Sequence, residues 1–357
     1  MSIEQTSRFN TEFTDADNAS RMQRITALWG FSEAAFGGIL HALQIPFTGL
    51  FLGGAAVIFI TLIAHYSKDK SAILRATLIV ILVKAFVSPH SPIVAYLAVA
   101  LQGIMGYLFF SLIKYERAAA LLLGFLSLLF SALQKLILLT LLFGTRFWDS
   151  IDLFVDFVLS QVKVLSYSKS FSFSLVIITL YTGLHVIAGI YIGIKSSSIP
   201  KWIELKAESF WRLEYDFRKS ESGFIEKKKH KRKSWWRRPS GIFLFIFFIV
   251  LIFLSFFFPE LGKSKAYDIL FMIVRSIVIT IIWFTILSPL VIKYFSRFIE
   301  KNKFKHAAEI NSITLLFPNF NRILNFCWKT SSSFKGIKRI RSFLSNSLAL
   351  LLIIEPK

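Results

Sequence analysis

Trp29-Gly30-Phe31-Ser32-Glu33-Ala34-Ala35-Phe36-Gly37-Gly38-Ile39-Leu40-His41-Ala42-Leu43-Gln44-Ile45-Pro46-Phe47-Thr48-Gly49 is the stretch whose reading decides the fold. It is apolar enough to enter a bilayer, yet it carries Glu33 and His41. Ionisable side chains at membrane depth are expensive, so their default reading is a functional site facing a protein interior or a wet cavity. On a helix, Gly30, Ala34 and Gly38 form a small-xxx-small seam that lets another helix approach closely. Glu33, Gly37 and His41 lie four residues apart on a neighbouring face. One helix thus offers both a packing seam and a polar stripe.

The rest of the composition agrees with a membrane setting. Of 357 residues, 55% are hydrophobic and only 18% charged, and the mean hydropathy is +0.60. That is too apolar for a soluble globular chain and reads as an all-α polytopic membrane protein. The lone cysteine, Cys327, excludes an intrachain disulfide. Residues Met1 to Ser20 are polar and lack the charged-then-apolar layout of a cleaved signal, so the first span is expected to direct insertion. The net charge of +21 sits in segments flanking apolar spans, where membrane orientation and anionic headgroups account for it without nucleic acid.

Eight apolar segments are each long enough to cross a hydrocarbon core of about 30 Å. They lie near Ile25–Ala42, Phe47–Ala64, Ala72–Val87, Pro92–Ile113, Ala118–Phe143, Phe173–Ile194, Gly241–Phe258 and Tyr267–Ile292. The connections after the second, fourth and sixth are basic, with Lys68 and Lys70, then Lys114 and Arg117, then the run from Lys195. The turn at Gln44 and the turn Ser88-Pro89-His90-Ser91-Pro92 carry no lysine or arginine. This asymmetry places both termini in the cytoplasm.

Small residues at helical spacing recur through the first six spans: Gly49 and Gly53; Ala98, Gln102 and Gly106; Gly124, Ser127, Ser131 and Lys135; Tyr181, His185, Gly189 and Gly193. Such seams imply a six-helix bundle over 25–194, preceded by a cytoplasmic segment at 1–24. Residues 195–240 read as a basic cytoplasmic linker, whose Lys227–Arg238 run sets eight lysines and arginines around Trp235 and Trp236. A two-span extension follows at 241–292. The tail at 293–357 alternates basic and apolar patches, as expected of an amphipathic helix on the cytoplasmic membrane face or docked on a cytoplasmic partner.

Under this topology His41, Lys84, His90 and Tyr96 gather in the outer third of the membrane as a polar pocket facing out. Singly, each has a plainer explanation: an outward-snorkelling lysine, a helix-end cap, a solvated turn residue. Glu33 and Gln102 lie deeper with Lys135 and His185, and pairing there, such as Glu33 with Lys135, would cross-link the bundle without a ligand. Arg275 in the eighth span also needs a partner or a wet surface. The connection Thr145–Ser172 sets Phe147, Trp148, Ile151, Phe154, Val155 and Val158 against Asp149, Asp152 and Asp156, which predicts an amphipathic helix along the outer surface, a lid or an interfacial anchor.

No Gly-rich phosphate loop with Lys-Ser/Thr, no His-Glu-x-x-His, no nucleophile elbow and no paired-cysteine signature occurs. No catalytic residue, cofactor or metal is therefore assigned. Lys84, His41 and His90 are cationic or hydrogen-bond donors, so the expected ligand is a small organic solute carrying a carboxylate or phosphate.

The six spans over about residues 25–194 resemble the substrate-binding component of energy-coupling factor transporters. The likeness rests on the helix count, the Gly30-xxx-Ala34-xxx-Gly38 seam, and the Ile45-Pro-Phe-Thr-Gly-Leu-Phe-Leu-Gly-Gly54 opening of the second span. The resemblance implies capture of a vitamin-like micronutrient from outside a bacterial cytoplasmic membrane, without catalysis, driven by partner ATPases and a transmembrane coupling protein. The chain begins Met-Ser-Ile, without the histidine of the cobalt and nickel members, and the two extra spans depart from a standard component. The tail, through Asn321-Arg-Ile-Leu-Asn-Phe-Cys-Trp-Lys329, is similar to the coupling protein's cytoplasmic helices but lacks their Ala-Arg-Gly signature. A non-transporting scaffold that recruits cytoplasmic proteins is the alternative reading.

Overall fold

A computed structural model describes residues 15–42, 47–88, 91–162, 172–205, 207–221 and 266–353. Every regular element among them is helical. Helix α1 (Asp15–Phe31) runs through a π-turn (Ser32–Phe36) into α2 (Gly37–Ala42). Then come α3 (Thr48–Tyr66), α4 (Ser71–Val87), α5 (Ile93–Leu112), α6 (Glu116–Phe143), α7 (Arg146–Val162), α8 (Phe173–Ser196), α9 (Ile199–Leu205) and α10 (Ala207–Glu221). Helix α11 (Ala266–Ile282) leads through a second π-turn (Trp283–Leu287) to α12 (Ser288–Lys305), α13 (Ala307–Thr330) and α14 (Gly336–Ile353).

Five stretches among the described residues are long and apolar enough to cross a membrane: Thr48–Tyr66, Ile93–Leu112, Glu116–Phe143, Phe173–Ser196 and Met272–Lys305. They correspond to the second, fourth, fifth, sixth and eighth of the expected segments. The third is helical as α4 but has 17 residues, about 25 Å, and carries Arg75 and Lys84. The first is helical but divided by its π-turn, and the seventh lies outside the described residues.

The described residues group into two units: 1–136, 176–220 and 290–357 in one, 137–175 and 221–289 in the other. The core of the first joins Ile25, Leu28 and Trp29 of α1 to Val57, Ile60 and Ile63 of α3 and Val80 and Val83 of α4. Glycine allows backbone to meet backbone at α6 and α8, where a Cβ on Gly124 would overlap the Gly189 carbonyl oxygen and one on Gly193 would overlap that of Ala120. The two backbones touch, so side chains are excluded by backbone rather than by movable neighbours.

The turn between α3 and α4 is closed by its own polar residues. Lys70 Nζ donates to the carbonyls of Ala64 (2.6 Å) and Ser67 (3.1 Å), satisfying the end of α3. Asp69 accepts from the Ser71 backbone N–H (2.9 Å) and from Arg75 (2.8 Å) at the start of α4.

The tail departs from the peripheral helix expected of 293–357. Ile310, Ile313 and Phe320 of α13 are buried in the main core beside α1. Phe31 meets Phe317 and Phe320 edge-on at 5.1 and 5.8 Å, and Gln23 donates to Ser312 at 3.0 Å. The apolar stripe of α13 is therefore consumed inside the chain. A satellite cluster of Phe217, Ile323, Cys327 and Leu350 ties α10, α13 and α14 together.

In the second unit, the helix expected over Thr145–Ser172 is α7, while 163–171 lie outside the described residues. Its Asp152 closes the start of α8, accepting from the Ser174 N–H (2.6 Å), the Ser174 hydroxyl (2.9 Å) and the Ser172 hydroxyl (3.0 Å). Burial acts to raise the Asp152 carboxyl, but these hydrogen bonds together outweigh it and hold it below the usual carboxylate range. Arg275 of α11 donates to the Leu141 carbonyl at 3.3 Å, which supplies a partner for that intramembrane cation.

Two outcomes follow from this packing. Gly124→Ala should lower stability by about 1–3 kcal/mol, because the α6–α8 backbones must separate, whereas Gly183→Ala, with open space at its Cβ, should be neutral or slightly stabilising; unfolding midpoints in detergent check the pair. Because the Asp152 carboxyl is lowered, its contribution is complete above the ordinary aspartate value of about 3.9 and disappears as pH falls through the lowered one. Amide protection at the start of α8, taken relative to the intrinsic exchange rate at each pH, should fall on acidification in the parent and stay flat in Asp152→Asn.

Candidate functional site

The π-turn at Ser32–Phe36 widens the first helix by one residue, with the Gly37 N–H bonded back to the Ser32 carbonyl. Such turns inside α-helices occur frequently at functional sites. This one carries Glu33. Directly opposite, in the last turn of α4, Lys84 Nζ donates to Glu33 Oε2 at 2.7 Å. The two side chains are 1% and 3% exposed, so the pair is withdrawn from solvent on both sides.

The neighbouring groups complete a polar nest in an apolar wall. Lys84 Nζ stands 5.7 Å from the Tyr96 ring centroid, within reach of a cation–π attraction. Tyr96 is buried, donates its hydroxyl to the Ser88 carbonyl at 3.3 Å, and meets the Phe295 ring of α12 at a tilt, with centroids 4.7 Å apart. Trp29, four residues before Glu33 on the same helix, is fully buried. Gly30 permits the approach: a Cβ there would stand 3.3 Å from Val83 Cγ1, one residue before Lys84.

The structure thus brings Glu33, Lys84 and Tyr96 together and revises how they were expected to act. Glu33 is paired with Lys84 rather than set deeper, and its partner is not Lys135, which is exposed on α6. Lys84 does not snorkel. The physical reason is the pairing itself: a buried ammonium is tolerable only against a counter-charge, and Glu33 supplies it from the facing helix. The π-turn also bears on the seam: a Cβ on Gly37 would stand 3.1 Å from Leu52 Cδ1, while one on Gly38 would have ordinary room beside Ser88.

Gln102 is buried elsewhere, its amide against Gly53 of α3. His41 falls in α2, with its side chain outside the description, and His90 lies outside the described residues.

A second aromatic and polar group stands at the start of α3. His185 is fully buried, with Nδ1 at 2.9 Å from the Tyr181 carbonyl and Nε2 unpartnered among the described residues. Tyr181 stacks on Phe47 at 5.6 Å, and Phe47 holds φ 67°, ψ 17°, a left-handed conformation uncommon for a bulky residue. Phe47 escaped the sequence reading; its place in Ile45-Pro-Phe-Thr-Gly was the available signal. Phe295 and Phe317 escaped it because nothing local announces which helix a tail will cover.

No protein-family model, curated protein or solved structure matches this chain.

A buried ion pair is stabilising only as a pair. Removing one partner leaves the other charge unpaired in the core, which costs about 3–5 kcal/mol. Lys84→Met alone should therefore destabilise strongly, and Glu33→Gln less, since glutamine keeps an acceptor for Nζ. The double variant Glu33→Gln/Lys84→Met should recover most of the loss, giving a large coupling in a double-mutant cycle of unfolding free energies.

Proposed function

We propose that this chain is a multi-pass membrane protein whose six-helix region at 25–194 binds a small organic micronutrient from outside, as a substrate-binding component of the energy-coupling factor type. The observation that carries this reading is the Glu33–Lys84 pair, buried beside a π-turn and roofed by Tyr96. An apolar pair of similar volume would hold two helices at least as well, so the ion pair is poorly explained by stability alone. Intramembrane ionisable residues commonly mark substrate pathways.

Because Glu33 already neutralises Lys84, the nest offers no free positive charge. A carboxylate or phosphate of the solute enters by exchanging with Glu33 on Lys84 Nζ. Both termini are cytoplasmic, the membrane is the bacterial cytoplasmic membrane, and Thr145–Ser172 faces outward. The basic tail, whose α13 packs on α1, receives motion from separate ATPase and coupling partners and delivers it to the helix that bears Glu33.

The scaffold reading draws on the same pair, since Glu33 and Lys84 satisfy one another without any ligand. Mass spectrometry of small molecules retained by the purified protein separates the two. The transport reading expects an anionic solute whose affinity rises in Glu33→Gln and falls at least about tenfold in Glu33→Gln/Lys84→Met. Absence of a retained solute, or equal affinity in the two variants, leaves the scaffold. Reporter fusions after Lys70, Lys163 and Arg232 should read inside, outside and inside.

A further inference from the structure

At the opposite end of the helices from the Ser88 turn, a cavity of about 420 Å3 opens between the start of α6 and the end of α8. Its volume is within the range of small-ligand clefts, about 300–1,000 Å3. Arg117 and Lys201 supply two cations from separate segments, and Trp202 and Leu205 of α9 supply an apolar wall. The one acid of the lining, Glu116, is engaged by His65 Nδ1 at 3.0 Å. The Ser197 and Ser198 hydroxyls donate to the Ile194 carbonyl at 2.9 and 3.4 Å, so the cavity holds a ligand by charge rather than through these donors.

The placement is specific. Glu116 begins one helix long and apolar enough to cross a membrane and Ser196 ends another, so the cavity lies where two such helices terminate. Ser196 secures that end by donating to Gly193 O (2.9 Å) and to Thr61 Oγ1 (3.2 Å). Beside the two cations, Leu205 and Tyr115 are 77% and 74% exposed, an apolar collar at that end of the helices. Tryptophan and tyrosine favour the headgroup level of a bilayer.

From these observations we infer that the cavity is a binding site for the phosphodiester headgroup of an anionic phospholipid. The phosphate lies between Arg117 and Lys201, and the acyl chains leave along Leu205. Basic pockets between membrane helices hold anionic headgroups by charge in the same way. Inorganic phosphate shares the charge but has no use for the apolar collar, which is what favours the lipid. This assignment does not depend on the transport reading.

The test uses the full-length chain, delipidated in neutral detergent and titrated with dioleoyl-phosphatidylglycerol or dioleoyl-phosphatidylcholine, with retained lipid counted by native mass spectrometry. Two exposed cations each contribute about 1 kcal/mol near a headgroup, so Arg117→Gln/Lys201→Gln should weaken phosphatidylglycerol retention by about tenfold or more. Lys335→Gln/Lys338→Gln removes the same charge from exposed tail positions and should leave retention nearly unchanged. Equal loss in the two double variants, or none in the first, overturns the site in favour of diffuse attraction. Equal retention of phosphatidylcholine overturns its anion selectivity, and displacement of the lipid by millimolar inorganic phosphate overturns the lipid as occupant.

Discussion

A carboxylate and an ammonium 2.7 Å apart, each almost wholly withdrawn from solvent, set conditions that their surroundings must meet. Charges so placed are tolerable only in direct contact, which fixes the distance between the first helix and the end of α4. Gly30, one turn before Glu33, removes the bulk that would hold Val83 and hence Lys84 away. Tyr96 supplies a π-face to the ammonium, and its own hydroxyl is satisfied at Ser88. Apolar contacts then seal the nest, from Trp29 on one side to Phe295 of the tail on another.

The remaining helices are held by a different physics. Between α6 and α8 the contact is backbone on backbone, with glycine on both sides and no ion pair to make or break. Packing of this kind depends on dispersion and shape, and it resists sliding because any displacement meets a carbonyl rather than a side chain that can turn aside. The first unit therefore combines a stiff contact at Gly124, Gly189 and Gly193 with a polar contact at Glu33 and Lys84.

Much of this was legible in the residues. Apolar length located the five helices among the described residues that are able to span a membrane, and the four-residue spacing of Gly189 and Gly193 identified the face that meets Gly124, because close packing of helices leaves a direct compositional trace. Glu33, Lys84 and Tyr96 stood out for the same reason that they matter: polar groups are costly where apolar ones are the rule. Their pairing was not legible. Spacing orders residues along one helix but does not set the level of one helix against another, so Glu33 was expected deeper than Lys84 when the two are paired. The docking of α13 was equally hidden, for an amphipathic stripe announces that it will be covered but not whether by lipid, a partner or, as with Phe317 on Phe31, its own chain.

The π-turn has one more consequence, in the language of insertion and deletion. A helix bearing one surplus residue can lose one and become regular. Removing a single residue from Ser32–Phe36 would close the turn into regular α-helix and leave the helix beyond it close to its present facing, whereas a deletion in the regular part of α1 would turn everything beyond it by about 100°. The first helix can thus shed a residue at these five positions, and nowhere else, with its flanking contacts kept. What such a loss removes is local: the wide turn that carries Glu33.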